Sequence, residues 1–518
     1  MKTKILKIDP ENIDGQIIAE AASLIRAGRL VAFPTETVYG LGADALNERA
    51  VNAVYEVKGR PPDNPLIIHI NDMGQLRALA ADGDRLAAAA AALARRFWPG
   101  PLTMVFARRA DLPDFTTARL DTVAVRMPSH PVARALIAAA GTPVAAPSAN
   151  PSGKPSPTSG AHAINDLDGK VDMILDAGPV EIGLESTVVD VSRVPAAILR
   201  PGGVTYEMLA GAIGAENVRD IKNHYSVHNF YNINNKGSEP DGATAGPARS
   251  PGVRYRHYAP DAPMTLLKGG AHGAAALLAQ YIERGGAGTG LIVSNELLAL
   301  LGDDLLKRIT VYSLGGIAEP DAAAARFFGL LRALDARRTE RIYCELYPAE
   351  GIGAALADRM IRAAGGHVAD ADNPSVLFVC TGNTCRSAMA EAIFNSEAAK
   401  IASCGARAAS AGVCARDGEP ATVEAIEAVG RRGIDLTRHR SRRLDAGLIM
   451  QSGLILTMTR AHRDEAVRLC PGAAPRVFTL AGRGNVCDPY GLGPDAYMDC
   501  AEVLYDLAAP LARSLRAR

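Results

Sequence analysis

The stretch SVLFVCTGNTCRS, residues 375–387, decides how this chain is read. Its apolar run at 376–379 is short and unbroken, which suits a buried parallel strand, and Gly382 and Asn383 then break it with turn residues. In SAMAEAIFNSEAAK (387–400), Met389, Ala392, Ile393 and Phe394 recur at helical spacing. Strand, loop, helix is the expected order. In that arrangement the loop amides and the positive N-terminal end of the helix converge on one point and hold a phosphate dianion. Cys380 opens the loop and Arg386 closes it, with five residues between them. A free cysteine is mostly protonated at neutral pH, so anion-binding amides and a nearby guanidinium supply what a thiolate nucleophile needs. Arg386 adds a planar fork that can grip two phosphate oxygens, and Ser387 can donate to the sulfur.

Working outward, the chain has 518 residues, room for about three domains at roughly 100–200 residues each. The phosphate loop therefore belongs to the last of them. Formal net charge is zero, so no global basic field advertises a nucleic acid. No apolar run is as long as a membrane span, and MKTKILKIDP lacks the apolar core of a signal peptide, so a cytoplasmic protein without membrane contact is expected. Seven of the eight cysteines follow position 375 without a C-x2-C pair, which argues against a disulfide framework and against a metal held by protein ligands. Cys380 and Cys385 could close a reversible disulfide that shields the nucleophile; equally, Cys385 only packs.

The first part of the chain has a different character. A helix over most of GQIIAEAASLIRAG precedes the strand LVAF (30–33) and the hydroxyl-rich string PTETVYGLGADA (34–45). Then come YEVKGRPPDNPLIIHI (55–70), FWPGPLT (97–103), DTVAVRMPSHP (121–131), PVAAPSANPSGKPSPT (143–158) and GLESTVVD (183–190). Each pairs a short apolar strand with glycine, proline, hydroxyl and basic residues, so several strand ends are expected to meet at one polar cavity. Thr35 and Thr37, two apart, would face the same side of one strand. His69, inside LIIHI, also suits a satisfied core histidine.

These strings resemble the YrdC-like threonylcarbamoyl-AMP synthase family, including its KxR and SxN pairs at Lys58-Gly59-Arg60 and Ser148-Ala149-Asn150. The resemblance implies a twisted α/β sheet around a concave, positively charged surface. It also implies condensation of L-threonine, bicarbonate and ATP to threonylcarbamoyl adenylate, with Mg2+ accompanying the nucleotide, for threonylcarbamoyl modification of tRNA adenosine. By family position, Lys58, Arg60, Asn64, Thr122, Ala146, Ser148, Asn150, Ser156, Arg200 and Tyr255 match the ATP side. Thr35, Thr37, His69, Arg126 and Ser186 match the threonine side. Lys58 and Arg60 suit neutralisation of the triphosphate, and Arg126 suits a carboxylate. The tRNA threonylcarbamoyl transferase machinery is an implied partner.

The string CTGNTCRS resembles the low-molecular-weight protein tyrosine phosphatase family, whose phosphate loop would run through Thr381, Gly382, Asn383, Thr384, Cys385 and Ser387 between Cys380 and Arg386. That implies a four-stranded parallel sheet, no cofactor and a phosphorylated protein as substrate. Asp488, in Asp488-Pro489-Tyr490, matches the family's general acid, which the departing group requires. Ala388 departs from the proline many members carry. Thr384, where tyrosine-directed members carry a larger aliphatic residue, and the run FVCTGNTCRS are shared with bacterial protein arginine phosphatases, so phosphoarginine is favoured over phosphotyrosine. A thioredoxin-linked arsenate reductase would need two further cysteines mid-domain, and none lies between Cys414 and Cys470. A regulatory or redox module is the remaining alternative, against which stands the retention of Cys380, Arg386 and Asp488.

Between them, residues 221–251 are polar and rich in Asn, Gly and Ser, as a flexible linker is. SPGVRYRHYAP (250–260) resembles the linker of the longer synthases, which folds over the active site. From 264 to 366, strands such as LIVS and IYCEL alternate with helical stretches, and no G-x-G-x-x-G follows the first strand. The expectation is an α/β multidomain chain. It comprises a YrdC-like domain at 1–210, a linker at 211–262, a small Rossmann-like accessory domain at 263–367 and a phosphatase domain at 368–518.

Overall fold

The computed structural model describes residues 2–81, 87–219, 257–401, 405–482 and 484–515. Two compact units emerge, one of residues 1–260, 318–333 and 347–366, the other of 261–317, 334–346 and 367–518. The linker expected at 221–251, and Tyr255 with it, lie outside the described residues.

The first unit is built on an eleven-stranded mixed sheet. Strand Thr122–Arg126 runs near its middle, parallel to Ile67–His69 and antiparallel to Leu102–Ala107. Their register puts His69 beside Arg126 and Arg126 beside Thr103. These strands are buried on both faces, with Ile68, Met104, Val123 and Val125 on one side and Ile67, Val105 and Ala124 on the other, which explains why they read as unbroken apolar runs. The sheet continues through Ala196–Arg200 to Val218–Arg219, past the expected boundary at 210. Thr35 and Thr37 do not share a strand, since Val31–Phe33 ends before them. They sit in the turn leading to Gly40–Asp44, which Thr35 Oγ1 ties together by donating to the Val38 carbonyl at 2.6 Å.

In the second unit, strands Thr310–Ser313, Thr289–Val293, Arg341–Glu345, Met264–Lys268 and Val368–Asp370 form an all-parallel sheet in that order. Its last strand lies beyond 367. A four-stranded parallel sheet follows in the order Arg407–Gly412, Ser375–Cys380, Leu454–Thr457, Val477–Thr479. Ser375–Cys380 is interior, with Val376, Phe378 and Cys380 facing one core and Leu377 and Val379 the other. Helix Arg386–Ala399 leaves its C-terminal end through the loop 381–385. Ligands gather outside the carboxyl ends of such strands.

Candidate functional site

In the second unit the loop after Ser375–Cys380 wraps its own sulfur. Cys380 is 1% exposed; Asn383 N donates to Sγ at 3.2 Å, and the Ser387 hydroxyl lies 2.9 Å from it. The wrap requires Asn383 to adopt a left-handed φ of 59°, which asparagine tolerates better than most residues. Its side chain pays this back by donating to Ser387 Oγ at 3.0 Å and Ser410 Oγ at 2.7 Å, and by accepting from Arg442 N at 2.9 Å. The Asn383 carbonyl meets His439 Nε2 at 2.6 Å. Thr381 Oγ1 lies 2.9 Å from His462 Nε2, and the Thr384 carbonyl accepts from Thr422 N at 3.0 Å.

Arg386, at the first turn of the helix, is 3% exposed. One edge donates to the Val486 carbonyl at 3.3 Å and the other is paired with the Asp488 carboxylate. The side chain of Asp488 is 47% exposed, so it stands at the mouth, next to the exposed Tyr490. Cys380, Arg386, Asp488 and the loop residues are thus brought together as the sequence indicates. Ser410, His439, Arg442 and His462 were not legible as site residues. They act on the loop through tertiary contacts that no local pattern marks. Burial pushes the Cys385 thiol up to about 11, with Cys380 adding to the shift, which makes Cys385 a weak nucleophile.

In the first unit Thr35, Thr37, Arg60, His69, Arg126, Ala146, Ser148, Ser186 and Arg200 line one cleft, together with Glu185, His257 and Tyr258. Lys58 lies behind it, donating from Nζ to the Ser148 and Asn150 carbonyls, both at 2.5 Å. Burial, then Arg60, push its pKa well below that of a free lysine. Arg60 is fixed by the carbonyls of Asn64 and Pro65 and by Asn64 Oδ1 at 2.7 Å, and burial lowers it to about 10. Ser156 meets Glu185 Oε1 at 2.5 Å. Arg200 donates from Nε and Nη2 to the Ser186 carbonyl. Asn150 donates to the Pro151 and Lys154 carbonyls. Thr122, at the other end of its strand from Arg126, does not line the cleft.

Elsewhere in the cleft, Arg126 is engaged by Thr37 Oγ1 at 2.9 Å, the Gly100 carbonyl at 3.3 Å and a buried ion pair with Glu36 at 2.7 Å. Glu36, quoted inside PTET, escaped the sequence reading. It neutralises the guanidinium and so lets a cation sit in the interior. Burial, then the charge of Arg126, depress His69 to about 3, so it is a neutral imidazole here, bonded through Nδ1 to the Ile67 carbonyl at 3.2 Å. Within SPGVRYRHYAP the residues at the cleft are His257 and Tyr258, whose rings lie 4.4 Å apart. Tyr258 has φ 66° and is 1% exposed.

Among the described residues no group of three or more His, Cys, Asp or Glu could hold a metal ion, and no helix is long and apolar enough to cross a membrane. Three family models match the chain. Residues 23–202 match the Sua5, YciO and YrdC model, described as telomere recombination. Residues 204–365 match the threonylcarbamoyl-AMP synthase C-terminal domain, and residues 375–518 the low molecular weight phosphotyrosine protein phosphatase. Threonylcarbamoyl-AMP synthase of Bacillus subtilis (strain 168) is 42% identical over 352 residues, 68% of this chain and 94% of that protein. Its counterpart in Pyrococcus abyssi is 41% identical over 359 residues, 68% and 96%. The crystal structure of P. abyssi Sua5 complexed with L-threonine matches with a TM-score of 0.61 at 40% identity, covering 71% of this chain and 99% of that one.

Proposed function

The chain belongs to the threonylcarbamoyl-AMP synthase family and carries a low-molecular-weight phosphatase domain behind the synthase, and on that premise we propose a bifunctional enzyme. The first activity joins L-threonine, bicarbonate and ATP. The threonine amine takes up bicarbonate as a carbamate with loss of water, a carbamate oxygen attacks the α-phosphorus, and pyrophosphate leaves. The observation that supports it is the single cleft holding Arg60, Ser148 and Arg200 with Thr35, Thr37, His69 and Arg126. One set is cationic and suits the polyphosphate; the other pairs hydroxyls with a guanidinium and suits an amino acid. Mg2+ is proposed to arrive with the nucleotide, because the carboxylate at the cleft, Glu185, is already engaged by Ser156 and Arg359. The product is a substrate for the enzymes that transfer threonylcarbamoyl to tRNA.

The second activity removes a phosphoryl group from protein. A dianion in the loop replaces the Asp488 carboxylate as partner of the Arg386 fork, leaving Asp488 beside the departing group. Cys380 Sγ attacks phosphorus, Asp488 delivers a proton to the leaving atom, and water activated by Asp488 then breaks the thiophosphate. Phosphoarginine is the favoured substrate. Thr384 is a half-buried residue of the loop, and its hydroxyl offers a planar guanidine a polar contact that an aliphatic side chain would not. The test compares kcat/KM on a phosphoarginine and a phosphotyrosine peptide in the wild type and in Thr384→Ile. The expected result is a wild type preferring phosphoarginine and a ratio moved toward phosphotyrosine by the substitution. A wild type preferring phosphotyrosine contradicts the assignment.

A further inference from the structure

Helix Ile352–Ala363 buries nearly its whole length, including Asp358, Arg359 and Arg362. Charged side chains in such a position cost several kcal/mol each unless paired, and the pairing is unequal. Arg359 is 0% exposed. Its Nε donates to Glu185 Oε2 at 2.8 Å and its Nη1 to Asp358 Oδ2 at 2.6 Å, while Asp358 Oδ1 is taken by Arg362 at 2.9 Å. The Nη2 group of Arg359 has no partner among the described residues. Its guanidinium carbon lies 5.5 Å from the centre of the Tyr258 ring.

Both side chains that Arg359 touches across the unit, Glu185 and Tyr258, line the cleft beside Arg60 and Arg200. Arg359 thus stands directly behind two lining side chains of the cleft, itself held by the buried carboxylates of Glu185 and Asp358. Burial works against the carboxylate of Glu185, yet Arg359, Arg200 and the Ser156 hydroxyl hold its pKa at about 2. Glu185 is thus already engaged, by Ser156 through one oxygen and by Arg359 through the other, and leaves Arg359 Nη2 unserved. A buried guanidinium with an unused pair of N–H donors beside the cleft is completed by an anionic oxygen.

We propose that Arg359, delivered from the C-terminal third of the synthase region, is a polyphosphate-binding side chain of the nucleotide site. Its Nη2 edge takes a non-bridging oxygen beyond the α-phosphate, while Glu185 holds Nε and Tyr258 covers the guanidinium face. The inference rests on reading the cleft as a nucleotide site. It gives this segment, expected only as part of an accessory domain, a direct part in binding.

The test is calorimetric titration of the full chain with a non-hydrolysable ATP analogue, with AMP and with L-threonine, in the wild type, Arg359→Lys and Arg359→Met/Glu185→Gln. The double variant removes the stranded Glu185 charge, so that a folded protein is obtained, as melting verifies. A charge-assisted hydrogen bond contributes about 1.5–3 kcal/mol, so affinity for the triphosphate analogue should fall about 10- to 100-fold. In Arg359→Lys, which leaves Glu185 untouched, AMP and threonine should bind within about twofold of wild type. Equal weakening of all three ligands means that Arg359 only braces Tyr258, and overturns the proposal. Unchanged analogue binding in the folded variants overturns it too, leaving the nucleotide reading intact. A wild type that binds neither ATP analogue nor AMP overturns the nucleotide reading itself, and the inference with it.

Discussion

At the scale of single residues, Cys380 is held by donors that belong to the loop backbone and to Ser387, with Arg386 across the mouth. Cys380→Ser should therefore abolish turnover of an aryl phosphate while keeping vanadate or phosphate binding within a few-fold, by calorimetry. Residual turnover above the buffer rate would exclude a covalent thiophosphate. The other telling residue is His69, whose folded pKa of about 3 lies below the ordinary 6.5. Its neutral form is the native one, so the unfolded chain binds the extra proton. The resulting stability is full above pH 6.5 and is lost as pH falls from 6.5 toward 3. His69→Gln should remove this loss. Between pH 6.5 and 5 the variant should lose about 2 kcal/mol less than wild type, from a slope of about 1.4 kcal/mol per pH unit, read from urea unfolding of the synthase unit. His69 illustrates what the sequence leaves ambiguous: an apolar strand with one histidine fits a core residue and a ligand alike, and the structure makes it a buried side chain that also lines the cleft.

At the scale of elements, both sites depend on a glycine that lets two backbones meet. A Cβ on Gly412, at the end of strand Arg407–Gly412, would lie 2.5 Å from the Thr381 carbonyl and 2.9 Å from Asn383 N. One on Gly202, in ILRPGG, would lie 2.2 Å from Thr187 N and 2.4 Å from the Ser186 carbonyl carbon. In both cases the obstructing atoms are backbone, which cannot rotate away. Gly412→Ala should lower phosphatase kcat/KM at least tenfold and leave pyrophosphate release unaffected; Gly202→Ala should do the reverse. Loss of the wrong activity in either variant would contradict the placement of these strands. The strand, loop and helix around Cys380 were legible because a strand buried on both faces, a turn and a helix each leave a local pattern. The second loop, through His439 and Arg442, was not, because its value lies in contacts with Asn383 that are 56 and 59 positions away in the chain. Thr35 and Thr37 were expected on one side of a strand; they stand instead in a turn, joined by a hydrogen bond of 2.9 Å.

At the scale of the whole molecule, composition alone indicated several domains and the motifs indicated their order, but the grouping of elements into units was not visible. The sheet of 264–370 shares a unit with the phosphatase fold, and the reason is concrete. Tyr281 and Tyr343 stack with ring centres 4.7 Å apart, and their hydroxyls donate to the Gly453 and Pro475 carbonyls. Arg284 reaches the Leu480 carbonyl at 3.3 Å. Tyr281→Phe leaves a buried carbonyl without its donor and should lower the stability of this unit by about 1–2 kcal/mol, seen as an earlier thermal loss of phosphatase activity. An unchanged inactivation profile would mean that the contact contributes nothing. The central claim is that one chain carries a threonine- and bicarbonate-dependent adenylate-forming site alongside a separate phosphatase site. Its most direct test is pyrophosphate release from ATP by purified Cys380→Ser protein, with and without L-threonine and bicarbonate, and again with Arg60→Ala added. The account predicts release that requires both co-substrates, that survives loss of the phosphatase nucleophile and that disappears with Arg60. Release independent of threonine, or abolished by Cys380→Ser alone in a folded protein, would contradict it.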